Sequence, residues 1–244
     1  MKYPMAINKE NKAMDRMKIA YDFAFHNGAS KKFDIELDRE NLSLITGPRE
    51  DPPAWALLEY QQCANCPLDN VMHTYCPVAA NLSGIVQEFR EVTSSDKVDV
   101  TVTVKERIYC KTTSIQEGLS PLLGIIMTTS GCPVMDPLKP MVRYHLPFAS
   151  LEETVYRMIA LFLVAQLIRE HAGKEPEWRL DGLAKIYGEV KTLNKEFGRR
   201  MIAAARTDAN VHALVNLNVF AVMVPMAAEK MLKEMAPGFS AYLK

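Results

Sequence analysis

Three cysteines and a histidine supply the residue types in this sequence that are best suited to bind a metal ion. Cys63, Cys66, His73 and Cys76 follow one another with the spacing C-x2-C-x6-H-x2-C. Two cysteines separated by two residues can direct both sulfurs at one ion, because the turn between them is tight. Further ligands nearby would complete the tetrahedral set that zinc prefers. The spacing therefore predicts a metal or thiol centre in this part of the chain.

Cys132 repeats the local sequence of this cluster, since it precedes a proline in the same way as Cys66 and Cys76. Proline favours the first position of a helix, so we expect each of these cysteines at a helix N-cap. Free backbone N–H groups and the helix dipole would stabilise a thiolate there, and thiolate is the form that binds metal. We expect Cys132 to supply the fourth ligand, with His73 as an alternative ligand or as a hydrogen-bond partner of the ligands.

The spacing leaves the occupant of this centre open. Four cysteines, or three cysteines and one histidine, suit a structural Zn²⁺ ion. Four cysteines could also hold a [4Fe–4S] cluster, although the spacing matches neither ferredoxin pattern. A redox pair formed by Cys63 and Cys66 is a third interpretation, and it lacks the surrounding βαβ pattern. Small side chains packed in a core are the fourth interpretation.

For the other residues whose side chains could take part in chemistry, a structural role is the better explanation. Cys110 lies on the apolar face of a predicted strand, so we expect it to be buried in the core. Asp136, Lys139, Arg143 and His145 lie in a proline-rich segment where a binding or catalytic loop could be found. A solvated surface loop explains their charges better, and no catalytic residue is assigned. Thiolate ligation would leave a negative site, which Lys139 or Arg143 could balance.

Strands are predicted on both sides of the cysteine cluster. Alternating apolar residues on either side of Asn27-Gly28 predict a β-hairpin. Leu42, Leu44 and Ile45 could add a third short strand. Alternation that starts at Val98 and continues through Ile108 and Cys110 predicts one long half-buried strand. The proline- and glycine-rich run 47–53 has the composition of a linker.

The rest of the chain has the apolar periodicity of helices, beginning near Pro77. Thr113 with Gln116, and Ser150 with Glu153, have the spacing of capping boxes. Three long helices from residue 150 onward predict an antiparallel bundle. The predicted fold is therefore α+β, with an N-terminal β-hairpin, a central strand and a C-terminal antiparallel helical bundle. We expect a small hairpin region at 1–47 and a mainly helical metal-binding domain at 54–244, which could be continuous with the hairpin.

Composition limits the classes of function. The 244 residues contain 29 Lys and Arg against 29 Asp and Glu, so a general nucleic-acid binder is not expected. Five cysteines are too few, and odd in number, for a disulfide framework. The N-terminus is polar, and the apolar segment 213–228 is expected to be a buried helix rather than a membrane span. We expect a cytoplasmic protein with no membrane partner, whose C-terminal helices could form a homodimer.

Several short blocks resemble a family of uncharacterised bacterial proteins. The blocks are Cys63-x-x-Cys66-Pro67-Leu68, His73-x-x-Cys76-Pro77, Ser130-Gly131-Cys132-Pro133 and His145-Leu146-Pro147-Phe148-Ala149. The resemblance spans roughly residues 20 to 240. It implies a bacterial origin and a site shared through the cysteine blocks, and the family has no assigned activity.

The leading hypothesis is a metal-stabilised binding or regulatory protein. A set of four ligands saturates the ion, whereas catalytic zinc keeps one position open for water. The sequence contains no G-x-G-x-x-G, P-loop or H-E-x-x-H motif, so dinucleotide, nucleotide and zinc-protease functions lack support. The alternatives are a metal- or Fe–S-dependent enzyme and a thiol redox protein.

Overall fold

The computed structural model of the protein describes residues 15–47, 52–204 and 207–244. The fold is α+β, with a four-stranded antiparallel sheet in the N-terminal half and a helical C-terminal half. The strands are β1 (Arg16–Phe25), β2 (Ser30–Asp38), β3 (Lys97–Val104) and β4 (Arg107–Ser114). The helices are α1 (Pro77–Glu88), α2 (Ile115–Thr129), α3 (Lys139–Arg143), α4 (Leu151–His171), α5 (Asp181–Ala204) and α6 (Ala209–Met235). Residues 48–51 of the predicted linker, and the polar residues 1–14, lie outside the described residues.

The predicted N-terminal hairpin is present as β1 and β2, with Gly28 at a φ of +87° in the turn between them. A residue without a side chain adopts this left-handed conformation without strain. The strand order is β2-β1-β3-β4, so the hairpin and the later strands form one continuous sheet. Ile19, Tyr21 and Phe23 of β1 are buried on the core face. Leu44 adds a single bridge to Leu37 where a third short strand was expected.

The prediction of one long strand from Val98 to Cys110 is wrong, because the chain reverses at Lys105 and Glu106 to form the β3–β4 hairpin. The register then places Cys110 opposite Thr101. Directly opposed residues of antiparallel strands face the same side, and here that side is solvent. Cys110 and Ile108 are therefore exposed, and the expected burial of Cys110 is also wrong.

Helix α2 covers the core face of the sheet. A Cβ atom at Gly118 would lie 2.8 Å from Cγ2 of Val100, so the helix approaches β3 more closely than any other residue would allow. The capping box expected from Thr113 and Gln116 is not formed, because Thr113 still belongs to β4 and its hydroxyl donates to the Glu117 carboxylate. The helix instead begins after Ser114, which makes no side-chain cap.

The C-terminal helices pack on the opposite side of α2 from the sheet. The second predicted capping box is present, with Ser150 and Glu153 bonded reciprocally at the start of α4. The helix ends at His171, and Gly173 follows at a φ of +72°. Helix α5 buries a stripe along one side, and α6 packs against α2, α4 and α5.

Helix α6 is less buried than its apolar sequence suggests. The segment Ala209–Tyr242 is long and apolar enough to cross a membrane by length and composition, and 28% of its most apolar window is buried. The expectation of a buried helix is therefore met only in part. The exposed apolar side chains on α4 and α6 include Leu167, Ile168, Val219 and Met226.

Candidate functional site

Cys63 and Cys66 lie in a tight turn that is attached to α5. The backbone N–H of Cys66 donates to the carbonyl of Cys63 at 3.0 Å. Asn65, between them, donates from Nδ2 to the backbone carbonyl of Glu189 at 3.0 Å and to its carboxylate at 2.7 Å. These contacts hold the turn against the helical half of the molecule.

Cys76 is positioned by the segment that precedes this turn. Its backbone N–H donates to the carbonyl of Ala56 at 2.8 Å, and Leu57 forms a bridge with Tyr75. Cys76 is the N-cap residue of α1, and Pro77 occupies the first helical position. The predicted N-cap is therefore confirmed for this cysteine.

Cys66 and Cys132 are not at helix N-caps, so the prediction is wrong for these two residues. Pro67 leads into an irregular segment, and Cys132 lies in a turn that follows the end of α2. Gly131, at a φ of +85°, reverses the chain there. Burial raises the pKa of Cys132, and the nearby backbone N–H groups of Val134 and Met135 lower it only in part. The loop therefore does not give the net stabilisation of a thiolate that a helix end was expected to give.

The thiols of Cys63, Cys66, Cys76 and Cys132 lie in one electrostatic neighbourhood. Burial raises the pKa of Cys63 to about 12, and the charges of the other three thiolates raise it as well, while Arg200 lowers it. Burial raises the pKa of Cys132 to about 11, with further contributions from Cys76 and Cys66. We call these four residues the cysteine cluster.

The cation beside the cysteine cluster is Arg200, which is 1% exposed. Its guanidinium donates to the backbone carbonyls of Trp55, Leu57 and Leu58 at 2.9, 2.6 and 3.1 Å. Its Nε is buried without a partner, and no carboxylate of the described residues pairs with it. Arg200 therefore fastens the segment before Cys63 and carries a buried charge without an acidic partner.

The described ranges 15–47, 52–204 and 207–244 contain no three His, Cys, Asp or Glu side chains that already form a metal-binding group. His73 is exposed, and its backbone N–H donates to the carbonyl of Asp69 at 3.1 Å. Its charge is not among the influences on the pKa of Cys63 or Cys132. The charges of Cys66, Cys76 and Cys132 act on Cys63, but these residues do not form a metal-binding group in the described part of the chain.

The segment 136–145 is more ordered than the solvated loop that we expected. Lys139 forms an ion pair with Asp136 at 2.9 Å, and Arg143 donates to the backbone carbonyl of Arg39. Neither Lys139 nor Arg143 is among the charges that act on Cys63 or Cys132. The expectation of merely solvated charges is wrong for Arg143 and His145, because both contact the strand side of the molecule.

His145, at the end of this segment, is partly buried. Its Nε2 lies 2.6 Å from the hydroxyl of Tyr21 on β1. Burial, and to a smaller extent the positive charge of Arg157, lower the pKa of His145 to about 3. Burial also raises the pKa of Tyr21, so a protonated hydroxyl shares this hydrogen bond with a neutral imidazole.

Comparison with known proteins places this chain in one family. A family model described as a domain of unknown function, DUF6901, matches residues 19–240. The chain belongs to the DUF6901 family. No curated protein and no solved structure matches this DUF6901 member at a significant level.

This DUF6901 fold contains functional candidates that we did not single out from the sequence. A cavity of about 480 Å³ is lined by Arg157, Tyr187 and Asn194, together with His145. Tyr187 and Asn194 occupy positions in the buried stripe of α5. In the sequence, these polar residues occupy positions of an amphipathic helix that face the core, and this pattern could have identified them. Arg200 also occupies such a position.

Proposed function

We propose that the protein binds metal, with Cys63, Cys66, Cys76 and Cys132 holding a structural Zn²⁺ ion in a binding or regulatory module. One observation carries the proposal: the thiolate charges of the other three cysteines all act on the thiol of Cys63. The four residues come from three separate segments, namely the 63–66 turn, the start of α1 and the loop after α2. An ion that joins such segments contributes its binding free energy to folding.

Zinc binding would draw the four sulfurs together and release their protons. The raised pKa values of Cys63 and Cys132 keep both thiols neutral near pH 7 in the metal-free protein. Zinc takes thiolate as its ligand, so binding is coupled to proton release. The backbone N–H groups of Val134 and Met135 lower the pKa of Cys132 and so favour its thiolate form.

Arg200 supplies the counter-charge that such a site needs. A buried cation is costly unless an opposite charge lies close to it. Its guanidinium is held by neutral carbonyl groups, and its charge acts on Cys63. A zinc ion with four thiolates has a net negative charge, so each group would stabilise the other.

A [4Fe–4S] cluster is the alternative occupant, since it also takes four cysteines and a net negative charge. The alternative functions are a metal- or Fe–S-dependent enzyme and a thiol redox protein. A redox role is disfavoured by the raised pKa values of Cys63 and Cys132, because reactive cysteines usually have a lowered pKa. His73 remains the alternative fourth ligand, and it would require the segment before Cys76 to move.

We also infer the distribution, the location and the oligomeric state of the protein. We infer that the CxxCP, HxxCP and SGCP blocks are shared by bacterial members of the family, and that the protein is cytoplasmic, where thiols stay reduced. We also infer a homodimer through the C-terminal helices, without a nucleic-acid or membrane partner. The exposed apolar side chains of α4 and α6 support this dimer.

Elemental analysis of the purified full chain tests the proposed metal site. We expect a colourless protein with one zinc per chain, and loss of the metal in the Cys76→Ser and Cys132→Ser variants. Cys110→Ser is the matched control, because this cysteine is exposed on β4 away from the cluster. Since a ligand variant could unfold, wild-type protein is also treated with a chelator, and its melting temperature should fall.

The metal content decides among the outcomes. An anaerobic preparation that is brown and contains iron would replace zinc by the [4Fe–4S] cluster. Folded wild-type protein with neither metal at the level of one site per chain would contradict the proposal. Metal retained equally by Cys132→Ser and Cys110→Ser would remove Cys132 from the ligand set.

A further inference from the structure

Two pockets adjoin at His145, Leu146 and Arg157, which line both of them. The first is the cavity of about 480 Å³ among α2, α4, α5 and α6, whose walls are mainly apolar. The second, also about 480 Å³, lies between the sheet and the connection from α3 to α4. Each volume is in the range of sites for small molecules. We call them the apolar chamber and the basic chamber.

The basic chamber concentrates positive charge on a chain with no net charge. Seven of its lining residues are Lys or Arg, and Glu106 is the single acid among them. The cations are Arg16, Lys18, Arg39, Lys105, Arg107, Arg143 and Arg157. Cations that line one concave surface focus a positive potential, which attracts an anion.

Only part of this charge is balanced by acidic residues. Arg16 and Lys18 share Glu36, and Arg39 lies 3.6 Å from Asp15. Within the part of the chain that the structure describes, the other four cations make no ion pair with a carboxylate. Those four are Lys105, Arg107, Arg143 and Arg157. The chamber therefore retains positive charge that a ligand can neutralise.

Arg157 stands at the junction of the two chambers. Its Nη2 donates to the carbonyls of Met141 and Tyr144 at 3.1 and 2.7 Å, which fixes the plane of the guanidinium. Its Nε and Nη1 make no hydrogen bond with any described residue. These two free N–H groups can each donate a hydrogen bond to an anion. The anionic group of a ligand would thus lie at the mouth of the apolar chamber.

The apolar chamber adds a small number of polar groups to its apolar walls. Asn194 is 4% exposed, and its Oδ1 is buried without a hydrogen-bond partner. The Tyr187 hydroxyl, close enough to Arg157 to be influenced by its charge, makes no hydrogen bond with a described residue. Lys111 and Glu117 are the other charged residues that line the cavity. The chamber therefore suits an apolar body with few polar substituents.

We propose that the two chambers together bind one amphipathic organic phosphate, with its apolar body in the apolar chamber and its phosphate in the basic chamber. Arg157 binds the phosphate at the junction, and Arg107, Lys105 and Arg143 surround it. A phosphate monoester carries nearly two negative charges above its second pKa of about 6, so it matches the excess of cations better than a carboxylate. None of these groups belongs to the cysteine cluster, so the site does not depend on the identity of the metal.

Calorimetric titration of the full chain with decyl phosphate, below its micelle concentration, tests this site. We expect one ligand per chain, bound about ten-fold or more tightly than either decanol or inorganic phosphate. From butyl to octyl phosphate the affinity should rise by about two- to four-fold for each methylene. The affinity should also fall as salt is added, because the cations are open to solvent.

Variants separate the proposed site from nonspecific binding. Lys105→Gln combined with Arg107→Gln changes an exposed turn, so the fold should persist while affinity falls about ten-fold. Arg179→Gln is the matched control, since this arginine is exposed and lines neither chamber. Arg157→Gln should lower affinity further, and circular dichroism checks that this variant is folded.

Three results would overturn the proposal. The first is decyl phosphate that binds no more tightly than decanol, since the phosphate would then contribute nothing. The second is binding that is unchanged in the turn double variant. The third is binding of several ligands per chain, which would indicate adsorption to the exposed apolar side chains of α4 and α6.

Discussion

Replacing His145 with glutamine should remove much of the acid sensitivity of this fold. The pKa of the imidazole is lowered from 6.5 to about 3, because the ring is desolvated and because Arg157 repels its protonated form. In the unfolded chain the pKa returns to its usual value. Between these two pKa values the unfolded chain binds a proton that the folded chain excludes. Stability therefore falls as the pH is lowered from about 6.5 toward 3.

The size of this effect at pH 5 follows from the two pKa values. The distance from 6.5 down to 5 is about 1.5 pH units, and each unit corresponds to about 1.36 kcal/mol, so His145 should cost about 2 kcal/mol at pH 5. At pH 7.5 both states are neutral and the cost is close to zero. The amide oxygen of a glutamine can accept from the Tyr21 hydroxyl without titrating.

Urea unfolding at pH 7.5 and pH 5.0 measures this difference. The wild type should lose about 2 kcal/mol more than His145→Gln on going to pH 5, while the titration of all other groups cancels between the two proteins. His171→Gln, at an exposed position at the end of α4, controls for the loss of a histidine. Equal losses in wild type and His145→Gln would refute the reasoning, since His145 would then gain its proton in the folded state.

Two further predictions concern packing and the buried cation. Gly118→Ala should lower the free energy of unfolding by about 1–3 kcal/mol, because its Cβ would lie 2.8 Å from Val100. The control is Gly84→Ala in α1, whose Cβ would meet no atom within 4 Å. It should raise the free energy of unfolding by about 0.5–1 kcal/mol in the same urea titration. Equal effects of the two substitutions would contradict the close approach of α2 to β3. Arg200→Met should lower the free energy of unfolding by about 3 kcal/mol, since three carbonyls lose their donors. Arg199→Met, at an exposed neighbour, is the control, and a loss no larger than in this control would show that Arg200 does not fasten the segment before Cys63.

The local elements of the fold could be predicted, because their signals lie within a few residues. Asn27-Gly28 between alternating strands, and Ser150 with Glu153, each specify a turn or a helix start without help from distant contacts. The β3–β4 hairpin was missed because its turn residues, Lys105 and Glu106, carry no turn signal and the alternation continues past them. The position of this turn is determined by the pairing of β3 with β1 and with β4, which the local sequence does not reveal.

The candidate site also has a part that could be predicted from local sequence and a part that could not. The spacing of Cys63, Cys66 and Cys76 is visible in one short segment, whereas the return of Cys132 depends on how α2 packs. The buried counter-charge could not be assigned from local sequence, because Arg200 lies in α5 and contacts a segment more than 140 positions earlier in the chain. Lys139 and Arg143 were expected in this role since they follow Cys132 in sequence, but folding directs them to other partners.

The cysteine cluster and the two chambers meet in the segment that follows Cys132. This segment is fixed at its start by the backbone N–H groups of Met135 and Asp136, which donate to the Cys132 carbonyl, and at its end by the hydrogen bond between Tyr21 and His145. Between these points it supplies Met135, Leu138, Met141 and Val142 to the wall of the apolar chamber. An ion bound at Cys132 would therefore restrain one wall of the chamber, and a ligand in the chamber would restrain the loop that carries Cys132. By linkage, any effect of one binding event on the affinity of the other would be reciprocal. The zero net charge argues against a surface that binds polyanions in general. It is compatible with positive charge concentrated at two places, namely a buried cation beside the thiols and the basic chamber at Arg157.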